Sequence, residues 1–309
     1  MNWQGVLPAI TTCFDRDLKV DHGFLAEHAQ RLLAAGCSGI VALGSLGEAA
    51  TLSEEEKRAI LATLAKAVGQ QAPLAAGISA LGTREAVELA RAAEQAGCQG
   101  LMVLPPYVYQ GDWRETKAHV AAILRATPLS GMLYNNPVAY GTDFLPEQIA
   151  ELASEHENLH AVKESSTDAR RVTAIRALCG ERLQILVGVD DCVMEGVAMG
   201  AVGWIAGVTN ALPEETVELF RSARDGDIKT AAGLYRWLLP LLRMDTVPKF
   251  VQLIKLMQEQ AGLGSARVRP PRLELAGAER EAALATIRLA LAQRTSPQAG
   301  APTGAGRGR

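Results

Sequence analysis

Cysteine is scarce and scattered. Cys13, Cys37, Cys98, Cys179 and Cys192 are an odd number with no CxxC pair, a pattern that suits neither a disulfide framework nor a structural zinc site. They read as small buried hydrophobes in a reducing compartment. The histidines His22, His28, His119, His156 and His160 show no paired metal-ligand spacing, so no metal is expected. No apolar run approaches the roughly 20 residues of a membrane helix. The opening MNWQGVLPAITT lacks the basic and then apolar regions of a secretory signal, so a cytoplasmic protein with no membrane partner is expected. Nor does one sign of charge prevail: 31 basic residues against 34 acidic leave a net charge of −3, too little field to recruit nucleic acid. A GxGxxG fingerprint after the first candidate strand is also missing, which disfavours nicotinamide chemistry.

What is present is a chain of 309 residues, 48% hydrophobic and 21% charged, enough for one large α/β barrel or two ordinary domains. Short runs rich in Val, Ile and Leu alternate with amphipathic stretches, the mark of repeated βα units around a parallel sheet. The candidate strands are Val6 to Cys13, Gly39 to Gly44, Leu74 to Ile78, Gly100 to Leu104, Gly131 to Asn135, His160 to Glu164, Ile185 to Val189 and Gly203 to Val208. Helical spacing marks Phe24 to Ala35, Glu54 to Val68, Arg84 to Ala96, Trp113 to Ala126 and Glu214 to Ala223. Ser53 before three glutamates, Asp112 with Glu115, and prolines at 146 and 213 supply helix-start signals. A weak repeat, AGCSG at 35–39, AGCQG at 96–100 and MGAVG at 199–203, ends one helix and launches a strand each time.

Eight such units predict a (β/α)8 TIM barrel over 1–225, with a doubly wound open sheet as the alternative. A C-terminal helical extension is expected over 226–294, helical from Ile228 to about Gln260 and from Ala278 to Gln293. Its apolar faces call for cover, expected from a neighbouring subunit. Residues 295–309, rich in Gly, Pro, Ala and Arg without periodicity, are expected to be a disordered tail.

Three features fall at the C-terminal ends of candidate strands, the rim where barrels carry chemistry. Lys163, in LHAVKES, is placed where desolvation would bring its amine toward a usable carbonyl nucleophile. A lysine paired with Glu164 or another carboxylate is the alternative. Tyr134, in LYNNP, would sit on the adjacent strand at the same height, as a proton carrier or as a core tyrosine. The glycine-rich turn GSLGE at 44–48 offers free amides for a carboxylate or phosphate, and Ser45 offers a hydroxyl. The seventh strand ends in Val189, Asp190 and Asp191, whose negative charge favours a free carboxylate substrate over a phosphate ester.

With these residues in order, the sequence resembles the dihydrodipicolinate synthase and N-acetylneuraminate lyase family of class I Schiff-base enzymes, from about Val6 to Leu291. The resemblance implies a barrel with a C-terminal helical region, usually a homotetramer built as a dimer of dimers, and no cofactor beyond the covalent imine. It implies Lys163 as the imine-forming lysine for pyruvate or a related 2-oxo acid, Tyr134 as relay tyrosine and Ser45 as relay hydroxyl. Amides at Ser45 and Leu46, within the turn of Gly44 and Gly47, would hold the substrate carboxylate. Tyr107, in ProProTyr, would reach into a neighbouring subunit's site, and Gly188 and Ile205 would line the pocket. Ala139 stands where the lysine-biosynthesis synthases have the arginine that holds the aldehyde's carboxylate, and Leu46 replaces the second hydroxyl of their ThrThr pair.

These departures leave imine chemistry intact. They open, beside aldol-type addition, cleavage or elimination, the alternative of a deaminase or dehydratase in hydroxyproline or sugar-acid breakdown, such as a pyrroline-4-hydroxy-2-carboxylate deaminase. A barrel that senses a ligand without catalysis is the remaining alternative. Thr209, Asn210, Asp190 and Asp191 are the polar groups expected near a second substrate.

Overall fold

The computed structural model describes residues 1–294, so the tail expected over 295–309 lies outside the described residues. Eight parallel strands alternate with helices: β1 Gly5–Pro8, β2 Ile40–Ala42, β3 Leu74–Ile78, β4 Gly100–Val103, β5 Ser130–Asn135, β6 Leu159–Glu164, β7 Gln184–Val187 and β8 Gly203–Ala206. They pair in the order β1-β8-β7-β6-β5-β4-β3-β2. A parallel bridge from Ala9 to Val41 closes the ring between β1 and β2, with Ile10 N donating to Val41 O at 2.9 Å. The sheet is a TIM barrel, and the open-sheet alternative is excluded by that closure. Strand positions are buried almost without exception, because the barrel interior lies on one side and the helices on the other.

The helices are α1 His22–Ala34, α2 Glu54–Val68, α3 Thr83–Gln95, α4 Trp113–Ala126, α5 Pro137–Tyr140, α6 Pro146–Glu155, α7 Arg170–Cys179, α8 Val193–Ala198, α9 Pro213–Arg224, α10 Ile228–Leu242, α11 Phe250–Gln260 and α12 Gly277–Ala292. The start signals act as expected. Ser53 Oγ accepts from Glu56 N at 3.2 Å while Glu56 Oε2 accepts from Ser53 N at 2.9 Å, and Asp112 with Glu115 repeats this box on α4.

Two expectations are corrected. The first strand ends at Pro8 rather than Cys13, because the next residues turn away to other partners: Thr11 N donates to Asn210 Oδ1 and Thr12 Oγ1 to Gly47 O. The helical stretch expected from 228 to about 260 is broken between α10 and α11 by a single 3-10 turn, Arg243–Asp245, and the loop to Lys249. Pro240 already lacks one amide inside α10, and Pro248 disfavours helical geometry at Val247.

The extension covers its own apolar faces. Leu238, Leu241, Leu242, Ile254, Met257, Leu284 and Ile287 are buried within the chain, so the cover expected from a neighbouring subunit is supplied largely by the barrel and by the three helices themselves. Trp237 Nε1 donates to Ala290 O at 3.0 Å to join α10 to α12. One of the extension's ionic contacts with the barrel is fully buried. Lys255 Nζ on α11 lies 2.7 Å from Glu48 Oε1, their side chains 2% and 0% exposed. The other Glu48 oxygen accepts from Arg269 N at 3.0 Å, and the ammonium lies 4.4 Å from the Phe14 ring centroid.

All five cysteines are free. Burial pushes the thiols of Cys13, Cys37 and Cys98 up to about 12, which makes them inert fillers of the interior. Removing one half of the buried ion pair should be severe. Lys255→Met leaves the Glu48 carboxylate without its main partner, and urea unfolding should report a loss of about 3–5 kcal/mol; a loss under about 1 kcal/mol would show that the carboxylate is otherwise satisfied.

Candidate active site

The C-terminal ends of the strands open into a cavity of about 540 Å³. Lys163 and Tyr134 are paired in register across β6 and β5, so both side chains point the same way, into the barrel mouth. Lys163 is 6% exposed, and its Nζ stands 4.0 Å from the centroid of the Tyr134 ring. Alternation along the strand turns Glu164 to the other face, where its oxygens accept from Asn135 Nδ2 at 3.0 Å and Ser166 N at 2.6 Å. The Lys163–Glu164 pair considered from sequence is therefore not made. Burial lowers the Lys163 amine from its ordinary value, opposed by Tyr140, Asp245 and Asp190. The lysine stem passes Gly188 closely enough that a Cβ there would lie 2.6 Å from Lys163 Cε, which explains why that position has no side chain.

Tyr134 is held from below by Asn136. Asn136 Oδ1 accepts from Ala139 N at 3.0 Å, which fixes the amide so that Nδ2 donates to Tyr134 Oη at 3.0 Å. The phenol oxygen thus accepts from the amide and keeps its own proton for another partner. Burial raises Tyr134 to about 12, so it stays a neutral proton donor. Ser45 Oγ hydrogen-bonds Tyr140 Oη, and the Tyr140 ring meets Tyr134 edge-on with centroids 5.7 Å apart. Tyr107 lines the same cavity from its own chain, its ring 6.2 Å from Tyr140.

The turn after β2 is strained at both ends, with Leu43 and Glu48 in the left-handed region at φ 58° and 56°. Within it, the amides of Ser45 and Leu46 donate to no acceptor among the described residues, a concave pair of free donors suited to an anion. Gly44, Ser45, Leu46, Ala139, Gly188 and Ile205 line the cavity. Gly47 does not. It packs behind the turn, where its carbonyl accepts from Thr12 Oγ1 at 2.6 Å.

The four polar groups expected near a second substrate are also elsewhere. Asn210 is held by Thr11 N, Ala9 O and Gly207 O, and Thr209 is buried beside it. Asp190 accepts from Trp204 Nε1 at 2.9 Å, Gly207 N at 3.1 Å and Val208 N at 2.8 Å; these bonds tie the loop after β7 to the loop after β8. Asp191 lies 3.7 Å from Arg243 Nε. In their place the cavity wall carries Tyr140, Asn136, Ser165, Asp245 and Arg272, none of which was singled out from sequence.

The dihydrodipicolinate synthetase family model matches residues 2–290. The chain belongs to that family. The chain is 34% identical over 269 residues to the 4-hydroxy-tetrahydrodipicolinate synthase of Methanopyrus kandleri, covering 87% of this chain and 90% of that one. It is 37% identical over 240 residues to the synthase of Natronomonas pharaonis, covering 77% and 81%. Among solved structures, a prophage protein of the dihydrodipicolinic acid synthase family from E. coli K12 in complex with pyruvate aligns with a TM-score of 0.89 at 27% identity, covering 94% of this chain and 99% of that one. Family membership makes the chain a class I Schiff-base lyase, and it does not favour the deaminase and dehydratase alternative. No helix among the described residues is long and apolar enough to cross a membrane.

The lowered Lys163 amine has a direct readout. Competitive acetylation of all lysines across pH, resolved by peptide mass, should show Lys163 becoming reactive as pH rises through a midpoint below the ordinary lysine value near 10.4. A midpoint at or above that value would contradict a desolvated amine.

Proposed function

We propose that Lys163 Nζ attacks the 2-oxo carbon of pyruvate or a related 2-oxo acid and that the imine so formed serves aldol-type addition and cleavage. The observation that carries this reading is the buried Lys163 amine in the cavity lining, its Nζ 4.0 Å from the Tyr134 ring centroid. The free amides of Ser45 and Leu46 receive the substrate carboxylate, which sets the 2-oxo carbon over the amine. Attack gives a carbinolamine; Tyr134 donates the proton with which its hydroxyl leaves as water, and Tyr140 with Ser45 passes a proton back to the phenol. The protonated imine then draws electrons from the neighbouring carbon, which gives up a proton to the Tyr140–Ser45 pair and becomes an enamine. No cofactor enters this sequence.

The second reactant is a small aldehyde. Ala139 supplies no charge to it, and the cavity's cations are Lys163 and Arg272, so a guanidinium that meets a second carboxylate comes from the C-terminal segment rather than from the loop after β5. Assembly as a dimer of dimers is part of the same reading. It is supported by Val108, Tyr109 and Val138, apolar residues 76%, 58% and 71% exposed beside the mouth, where Tyr107 would contact a second subunit.

Borohydride added with pyruvate should trap a covalent adduct on the Lys163 peptide, and Lys163→Ala should abolish it with the fold retained by circular dichroism. Absence of any adduct on wild-type protein with every 2-oxo acid tried would remove the imine chemistry. Light scattering at micromolar concentration should return the mass of a tetramer; a monomer would confine Tyr107 to its own cavity.

A further inference from the structure

We propose that Asp245 is a second acid–base residue of the site, giving a proton to the oxygen of the carbonyl reactant as the new carbon–carbon bond forms and taking it back when that bond breaks. The inference rests on the imine chemistry proposed for Lys163. Asp245 ends the 3-10 turn between α10 and α11, outside the eight βα units, yet it is the single carboxylate among the described residues lining the cavity. Its Oδ1 is buried and has no hydrogen-bond partner. The residue reaches this position by passing over Gly207, just beyond β8; a Cβ on residue 207 would stand 2.6 Å from the Asp245 carboxyl carbon.

Strand order fixes the direction from which Asp245 approaches. β6, which carries Lys163, has β5 with Tyr134 on one side and β7 and then β8 on the other. A substrate carbon bonded to Lys163 Nζ is thereby flanked by the hydroxyls of Tyr134, Tyr140 and Ser45 on one side and by the Asp245 carboxyl on the other. The hydroxyl side manages imine formation. The carboxyl side faces the space left for the second reactant.

Protonation follows from the neighbours. Asp190 is fully buried, and its charge disfavours ionisation of Asp245, a half-buried residue with its Oδ1 enclosed. Burial raises Asp190 to about 6, held in check by donors from Val208, Gly207 and Trp204, which favour its charged form. Asp245 has no donor on its buried oxygen, and burial together with Asp190 lifts it well above the carboxylate range, against the pull of Lys163. Asp191, the remaining nearby acid, adds to the lift and is itself 3.7 Å from Arg243. With three donors on Asp190 and none on the enclosed oxygen of Asp245, Asp245 is the one of the two acids that carries the proton.

The step balances. The enamine pair forms the bond from the carbon beside the imine to the carbonyl carbon. The carbonyl π pair moves to its oxygen, which takes the Asp245 proton, while the Lys163 nitrogen becomes the iminium and Asp245 a carboxylate. In cleavage the same carboxylate removes the hydroxyl proton as the bond opens.

Asp245→Asn keeps the shape and removes the transferable proton. Two readouts separate its effect from that of the imine reading. The first is pyruvate alone: borohydride adduct on Lys163, and exchange of the methyl hydrogens in deuterated water by NMR. The second is condensation of pyruvate with glycolaldehyde, glyceraldehyde or a carboxylate-bearing semialdehyde, followed by product mass. The variant should retain adduct and exchange within about threefold of wild type while condensation falls by about 10²-fold or more, and Asp245→Glu should recover part of the loss. Condensation at the wild-type rate in Asp245→Asn would overturn the proposal. So would parallel loss of adduct, exchange and condensation, which would mean that Asp245 only tunes the amine. Failure of the wild-type protein to form the adduct would instead strike the imine reading itself.

Discussion

The buried contact between Lys255 and Glu48 is the constraint on which the arrangement of the mouth depends. Two full charges far from water are tolerated only because each finds the other at 2.7 Å and because Arg269 N and the Phe14 ring complete their surroundings. Glu48 ends the strained turn that presents Ser45 and the free amides, and Lys255 belongs to α11, directly after the break that carries Asp245. One ion pair thus sets both the turn after β2 and the segment that crosses the barrel opening. Each element has further ties, Thr12 Oγ1 to Gly47 O in the turn and Arg243 beside Asp191 in the 3-10 turn, but the ion pair is what joins the two to each other.

Within the frame so fixed, the site sorts its ionisable groups by environment. Desolvation sets the direction for all of them, and hydrogen bonds moderate it where they are present. Asp190 is surrounded by donors and ties two loops together. Tyr134 is given one amide donor, which occupies its oxygen and leaves its proton for transfer. Lys163 loses its nearest carboxylate because Glu164 faces the other way. A nucleophilic amine, a neutral phenol and a protonated carboxyl can coexist within one small cavity because none of them is left with a complete ionic partner.

The barrel was legible in the sequence because buried parallel strands read as unbroken apolar runs and because the AGC repeats punctuate successive units. Lys163 and Tyr134 were legible because each ends such a run. Tyr140 was not, since it sits in the turn NNPVAYG, where an aromatic residue carries no periodic signal; its position two residues beyond Val138 on a short helix capped by Asn136 brings it over the cavity. Glu48 was noticed only as the end of a glycine-rich turn, and nothing local links it to Lys255 more than two hundred residues later. Asp245 lay in a stretch whose composition reads as continuous helix, and only the helix break, with a proline on either side of it, could have marked the place. Thr209, Asn210, Asp190 and Asp191 erred in the opposite direction. Polar residues after a strand suggest a ligand, but here Asn210 and Asp190 tie loops together and Asp191 lies beside Arg243.

The inert thiols carry a consequence of their own. Aldehydes and 2-oxo acids are electrophiles that add to any exposed thiolate, giving hemithioacetals and slower, irreversible damage. Cys13, Cys37 and Cys98 are enclosed and held as protonated sulfhydryls far above neutrality. A reactive carbonyl compound that enters the barrel mouth therefore reaches the Lys163 amine without competition from these three enclosed thiols.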